Sequence, residues 1–405
     1  MTGSCTRPKT LRPVELVVLQ GTSFCNLNCT YCDLSVESRQ TRAVMPSGLI
    51  DRFFTELFSS GRVAPAITVS WHSGEPLTLP PSYYEDAISR ILSLRDTIRG
   101  DAISVRFDIQ TNGVLIDDEW CAFFRRHEAH FDIGVSCDGP PELHDAYRVN
   151  WGKQHTHAKT LRGMELLESN RIKYNLISVV TENTLAHPEA FYKFFFDRRE
   201  HLSGFHFNVL AHANSGDPAL SYSAADRDAY YRFFRQLLQR THRASEAGAD
   251  FRIRNFSQGL ARILNARNAD APNYFEEASA PLKTLNLDAK GNVTTFYAGL
   301  GIEVLPNLYG DDKGMSLGNI YEISLEDMAG SEKLLRIIRD FDISRQACEA
   351  SCQYFPVCTG GFEVTKKQTL GSYVAVETTE CMIHVKTLID ALLDDVKDYL
   401  EQRAA

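Results

Sequence analysis

Seven of the ten cysteines in this chain fall into two tight groups near its ends, Cys25, Cys29 and Cys32 in one and Cys348, Cys352, Cys358 and Cys381 in the other. Any fold for the chain has to present both groups in loops. In a reducing compartment, thiols this close in sequence serve metal or redox chemistry more often than they pair as disulfides. The first group, Cys-x3-Cys-x2-Cys, offers three thiolates. A 4Fe-4S cluster takes one ligand on each iron, so three cysteines leave one iron open to a ligand from outside the protein. A zinc site short of one ligand is the plain alternative. The second group offers four thiolates, enough for either a 4Fe-4S cluster or a tetrahedral zinc, and its spacing alone does not choose. Cys5, Cys121 and Cys137 stand apart and read as ordinary thiols, since free cysteine packs as a small hydrophobe.

Between the two groups the pattern is α/β. Short β-branched runs at 14–19, 66–70, 103–109, 131–136, 172–180 and 204–210 alternate with helical patterns, the mark of strand-helix units around a parallel sheet. The clearest helix covers 47–60, where Leu49, Ile50, Phe53, Phe54, Leu57 and Phe58 share one face, Pro46 and Ser47 begin it and Gly61 ends it. Asp117 can cap a second, running through Trp120 and Phe124. The aromatic stretch 191–196 reads as helix core rather than a peptide groove. After an amphipathic stretch at 226–243 the alternation fades, and Ala-Lys-Gly-Asn at 289–292 sits between two runs that read as a hairpin over 282–297. A final helix is expected to place Ile383, Leu388, Ile389, Leu392, Leu393 and Val396 on its apolar side. The expected division is a strand-helix domain at 1–240, a bridge at 241–281 and a C-terminal domain at 282–405.

Charge and hydropathy narrow the partners. With 43 Lys+Arg against 52 Asp+Glu the net charge is −9, and no basic block offers a nucleic-acid surface. No apolar run approaches the roughly 18 residues that span a bilayer, and the first residues lack a signal peptide's apolar stretch, so a cytoplasmic location and no membrane partner are expected.

Cys25-Asn-Leu-Asn-Cys29-Thr-Tyr-Cys32 resembles the signature of radical S-adenosylmethionine (SAM) enzymes. The resemblance implies a partial (β/α)6 TIM-like barrel whose 4Fe-4S cluster binds SAM at the open iron, and whose reductive cleavage yields a 5′-deoxyadenosyl radical that takes a hydrogen atom from the substrate. Trp71-His72-Ser73-Gly74-Glu75-Pro76 resembles the family's Gly-Gly-Glu-Pro motif, with Ser73 in place of its first glycine. This implies that Ser73, Gly74 and Glu75 receive the SAM ammonium. Gln110-Thr111-Asn112-Gly113 and Ser136-Cys137-Asp138-Gly139-Pro140, with Arg148 beyond, resemble segments of peptide-modifying members. Gln110 and Asn112 then belong to the SAM site, Ser136 and Asp138 lie near its ribose, Arg148 takes its carboxylate and Tyr31 packs near the adenine. Read singly, Asp138-Gly139 is a turn and Arg148 a surface cation.

Cys352-Gln-Tyr-Phe-Pro-Val-Cys358-Thr-Gly-Gly361, with Cys381 beyond, resembles the SPASM-type extension of peptide-maturing radical SAM enzymes. It implies one auxiliary 4Fe-4S cluster on Cys348, Cys352, Cys358 and Cys381. Full SPASM domains carry seven cysteines for two clusters, yet the strand Asn292-Val-Thr-Thr-Phe-Tyr297 has none. The pattern most resembles maturases that form cyclophanes in ribosomally made peptides. That implies abstraction of a Cβ hydrogen from a precursor peptide, a bond from that carbon to an aromatic ring, the auxiliary cluster as electron acceptor and a donor such as flavodoxin or ferredoxin. The residues assign no base. With 13 residues ahead of the first strand, leader recognition is expected from the barrel, the bridge or a separate protein. Two rivals stand: formylglycine formation of the sulfatase-maturase kind, and a noncatalytic iron-sulfur or zinc scaffold.

Overall fold

The computed structural model describes residues 11–209, 226–266, 279–298, 300–302 and 304–404. Cys5, Leu210 and part of the 241–281 bridge lie outside them. Six strands follow one another with helices between: β1 (Val14–Gln20), β2 (Val63–Trp71), β3 (Ser104–Thr111), β4 (Phe131–Ser136), β5 (Tyr174–Val180) and β6 (Leu202–Val209). All pair in parallel with their sequence neighbours. The expected runs are therefore all strands, with ends shifted by up to three residues.

The sheet does not close on itself. The free side of β1 is taken by β7 (Thr284–Asp288), again in parallel, then by β8 (Asn292–Thr295) and β9 (Gly318–Asn319) in antiparallel, so nine strands run in the order β6-β5-β4-β3-β2-β1-β7-β8-β9. The barrel is partial, and the expected hairpin is an extension of its sheet. At the far edge Asn255 supplies what a missing strand would, accepting from Phe207 N at 3.0 Å and donating to Phe207 O at 2.8 Å.

Helix Ser47–Ser59 buries the six expected residues. Asp117 caps helix Asp118–His127 through Trp120 N at 3.0 Å, and Phe191, Tyr192 and Phe195 of Pro188–Phe196 are core. The last helix differs from expectation. Residues Met382–Thr387 take the wider π form before Leu388–Ala404 continues. Leu388, Ile389 and Leu392 are buried, but Leu393 is 46% and Val396 37% exposed. The helix is tied to helix Arg227–Glu246 by charge as well: Asp390 meets Arg227 at 2.5 Å, Asp394 accepts from Tyr231 at 2.6 Å and Asp395 meets His242 at 2.6 Å. Acidic residues along this seam let polar pairs replace apolar packing, and the extra residue of a π turn shifts the phase of any 3.6-residue stripe.

Candidate active site

Parallel strands put all their carboxyl ends on one side, and the loops there carry the motifs. The loop after β1 holds Cys25, Cys29 and Cys32. It is clamped from two directions by backbone bonds: Asn28 N to Val149 O at 2.7 Å, Thr30 N to Tyr147 O at 3.0 Å, and Cys25 N to Arg39 O at 3.0 Å. Burial raises all three thiol pKa values, Cys29 up to about 11, and Cys25 also feels Glu75, Cys29 and Cys32. The three thiols therefore face a common space.

Among the described residues no three His, Cys, Asp or Glu side chains converge tightly enough to share one metal ion. A 4Fe-4S cluster is ligated at separate irons, so its ligating sulfurs stand further apart than those around a single ion. Neighbouring thiols that interact without meeting at one point fit a cluster better than a zinc ion.

The loop after β2 lies directly on the cysteine loop. A Cβ on Gly74 would stand 2.7 Å from Thr22 O and from the Ser23 carbonyl, and its φ is +64°, so only glycine fits. Ser73 has φ +75°, the left-handed region in which a side chain costs roughly 1 kcal/mol. Glu75 is 1% exposed. It accepts from Leu77 N at 2.9 Å, Thr111 Oγ1 at 2.7 Å and Asn112 N at 2.8 Å, so it pins the end of β3 to that of β2. Burial pushes its pKa up to about 7 against these bonds and the Arg148 charge. A carboxylate has about four acceptor positions, which leaves room for one more donor. Asn112 ties the same layer to the cysteine loop, donating to Asn26 Oδ1 at 2.7 Å.

Beyond β4, Asp138 and Arg148 form a buried pair at 2.9 Å. The second Asp138 oxygen accepts from Val179 N at 2.9 Å, and Tyr31 Oη also donates to the carboxylate. Burial and the Asp138 charge hold the Tyr31 phenol well above its ordinary pKa, against Arg148. The Arg148 guanidinium lies 5.5 Å from the Tyr31 ring centre. Burial opposes its charge, but Asp138, Tyr31 and Cys29 together outweigh that. Among the described residues only its Nε has a hydrogen bond to the protein, which leaves the two Nη nitrogens as a fork for a carboxylate. His144 supports the pair: it accepts from Asp138 N at 3.4 Å and reaches Thr156 Oγ1 at 3.2 Å, whose hydroxyl donates to Arg148 O at 2.6 Å. Burial lowers the His144 pKa to about 3. Gln110 donates to Ser136 Oγ at 2.8 Å, so these two sit side by side on adjacent strands.

The second thiol group stands among the C-terminal helices. Cys348 and Cys352 end helix Glu332–Ser351, Cys358 ends Phe355–Cys358 and Cys381 ends Thr379–Cys381. His384, next to Cys381, bonds to the backbone of Val209 at the end of β6. Burial pushes Cys358 up to about 12 and Cys381 up to about 11; Cys358 feels Cys381 and Cys348, and Cys381 feels Cys352 and Cys348. The four thiols are thus near enough to act on one another's charge. The hairpin reaches this loop through a tyrosine: Tyr297 Oη donates to Glu363 Oε2 at 2.7 Å and accepts from Glu363 N at 2.9 Å.

Three residues at the first site were not expected. Trp151 donates to Cys25 O at 2.9 Å, Asn26 joins Asn112, and Arg39, with its Nη1 on Asn28 Oδ1 at 2.6 Å and Nε on Leu34 O at 3.1 Å, braces the loop from within. Their signal was the run Arg148-Val-Asn-Trp151 and the asparagines between the cysteines.

Residues 19–195 match the model of the radical SAM superfamily. An uncharacterized protein of Synechocystis is 28% identical over 389 residues, 96% of this chain and 93% of that one. A serine-type anaerobic sulfatase-maturating enzyme of Bacteroides thetaiotaomicron is 35% identical over 188 residues, 45% of this chain but only 44% of that enzyme. A cysteine-type one of Clostridium perfringens is 26% identical over 86% of this chain and 88% of its own. Among solved structures, anSMEcpe with bound AdoMet and a Cp18Cys peptide superposes with a TM-score of 0.74 at 20% identity, over 96% of this chain and 99% of that one. Streptococcus suis SuiB bound to precursor peptide SuiA does so with 0.60 at 17%, over 91% and 76%. These likenesses establish a shared fold. Among the described residues no helix is long and apolar enough to cross a membrane.

Proposed function

Residues 19–195 form a radical SAM domain, and on that premise we propose that this enzyme joins a Cβ carbon of a ribosomally made precursor peptide to an aromatic ring, closing a cyclophane. Cys25, Cys29 and Cys32 hold a 4Fe-4S cluster with an open iron for SAM, and Cys348, Cys352, Cys358 and Cys381 hold a second. When bound, the first cluster with SAM supplies the hydrogen-abstracting radical and the second accepts an electron.

The chain's own residues bind and orient. The Arg148 fork takes the SAM carboxylate, with Asp138 fixing its direction and Tyr31 covering its face. Ser73 and Gly74 bring backbone close to the cysteine loop, where the remaining acceptor position of Glu75 suits an ammonium. Gln110, Asn112 and Ser136 line the strand ends beside it. Closing the ring removes a Cβ hydrogen and a ring hydrogen: one leaves as a hydrogen atom, the other as a proton and an electron.

The observation that carries the crosslink reading is the meeting of the hairpin and the C-terminal loop. It is made by Tyr297 and Glu363, not by thiols, so the extension has ligands for one cluster. The sulfatase-maturating relatives favour a second reading, oxidation of Ser or Cys to formylglycine. The test is mass spectrometry after anaerobic turnover, reduced by flavodoxin or ferredoxin, on an aromatic-rich peptide encoded beside the gene and on a sulfatase-type peptide. Loss of two hydrogens with backbone fragmentation blocked between two residues is expected. An aldehyde that reacts with a hydrazide would establish the second reading instead.

A further inference from the structure

One buried cation beside the second thiol group has no part in the chemistry above. Lys366, on helix Glu363–Leu370, is 1% exposed. Its Nζ lies 2.8 Å from Ser344 Oγ and 3.1 Å from Cys348 Sγ. Ser344 and Cys348 are four residues apart on helix Glu332–Ser351, so they share one face and the amine spans a single turn. Lys366 also bears on Cys381, lowering its thiol pKa against the burial that raises it.

Among the described residues no carboxylate pairs with this lysine, although its neighbourhood is closed to water. An ammonium taken out of water is costly unless an opposite charge answers it. A serine hydroxyl and a neutral thiol bring no such charge, whereas thiolates ligating an iron-sulfur cluster do. The lysine thus makes physical sense once the four thiols are loaded.

We propose that Lys366 acts through Cys348, donating a hydrogen bond to its sulfur and so raising the reduction potential of the C-terminal cluster, which makes that cluster a better acceptor for the electron released on ring closure. The inference rests on reading those four thiols as 4Fe-4S ligands. Donation to a ligating sulfur withdraws electron density, and a nearby positive charge favours the more negative, reduced state; hydrogen bonds to sulfur and net charge are among the factors that set such potentials. The other role open to a buried lysine is to pin two helices together, and that role leaves the potential where it is.

The experiment is an anaerobic redox titration of the full-length, iron-loaded protein followed by electron paramagnetic resonance, with the first cluster's signal recognised by its change on adding SAM. Lys366→Met is expected to shift the second cluster's reduction equilibrium toward the oxidised form by about tenfold or more, about 59 mV for one electron. Lys366→Arg, which keeps the donor and the charge, is expected to titrate close to the original protein. An unchanged potential in a fully loaded Lys366→Met protein overturns the proposal. If that variant does not load iron, the unaltered protein labelled with 15N-lysine decides: a nitrogen coupling to the second cluster is expected, and its absence overturns the proposal. Zinc in place of that cluster would defeat the cluster reading and the proposal together, and differs from the other outcomes because no second signal titrates.

Discussion

One thiol group stands in the loop after β1 and the other among the C-terminal helices, and their surroundings treat charge differently. Around Cys25, Cys29 and Cys32 the loops beyond the strand ends gather Glu75, Asp138 and Arg148, the cysteine loop's own helix adds Arg39, and Arg148 keeps two nitrogens free of protein partners among the described residues. Around Cys348, Cys352, Cys358 and Cys381 there are helix ends, the apolar Val385 and Ile389, the buried Lys366 against Cys348, and the charges of Arg262 and of Lys386, the latter paired with Glu377. A site with three thiols and unspent polar groups is built to share its centre with a small charged molecule. A site with four thiols has a ligand for every iron of a 4Fe-4S cluster and is built to be closed. Composition is alike in the two loops; the difference comes from what the neighbouring elements bring.

Alanine at Cys25, Cys29 or Cys32 gives the largest expected effect on this contrast: complete loss of 5′-deoxyadenosine formation from SAM. Alanine at Cys381 should leave part of that cleavage while ending crosslinking. Equal losses at both sites would erase the distinction. Gly74→Ala comes next. Its Cβ has nowhere to go against the 22–23 backbone, and about 2 kcal/mol of loop stability should be lost, read as weaker SAM binding in an equilibrium titration. Arg148→Lys keeps the charge but loses the fork, and SAM affinity should fall roughly tenfold, whereas the second cluster's potential should not move.

Acid separates the regions further. His144 stays neutral in the fold down to about pH 3, while in the unfolded chain it takes a proton near its ordinary value of about 6.5. The unfolded state therefore binds more protons in that window, and the stability of the metal-free protein should decline as pH falls from 6.5 toward 3. Thermal unfolding across that range should show a shallower decline in His144→Asn. The smallest effect is expected at Ser73→Gly, which relieves a positive φ and should change stability by about 1 kcal/mol or less, because glycine gains freedom in the unfolded chain as well. Chemical denaturation would measure it.

Much of this site could be read in sequence order. The motifs were legible because each follows a strand and parallel strands deliver their ends to one place; that Gln110 lies on Ser136, Glu75 on the end of β3 and Asp138 on Tyr31 and Arg148 was not among the expectations. Trp151, Arg39 and Asn26 were missed for a simple reason: each serves the cysteine loop through a backbone group or an amide, and such partners follow no ligand spacing, so the run 148–151 and the asparagines between the cysteines were faint signals. Leu393 and Val396 misled because apolar periodicity says which residues could be buried, not which face of the helix meets a neighbour: the face toward helix Arg227–Glu246 is the one bearing Asp390, Asp394 and Asp395, while Leu393 and Val396 stay exposed. That neighbour answers with Arg227, Tyr231 and His242.

What the sequence by itself determined is local: six strand-helix units, two sets of clustered thiols, and the residue types a charged cofactor requires. These follow from periodicity, capping and ligand spacing, all of which act over a few residues. Only the tertiary structure decided that β7 joins β1 and leaves the barrel open, that Gly74 presses on the cysteine loop, and that a lysine lies buried against Cys348. Each of those depends on which surfaces meet across long stretches of chain, and steric fit, desolvation and charge at such meetings are properties of the pair.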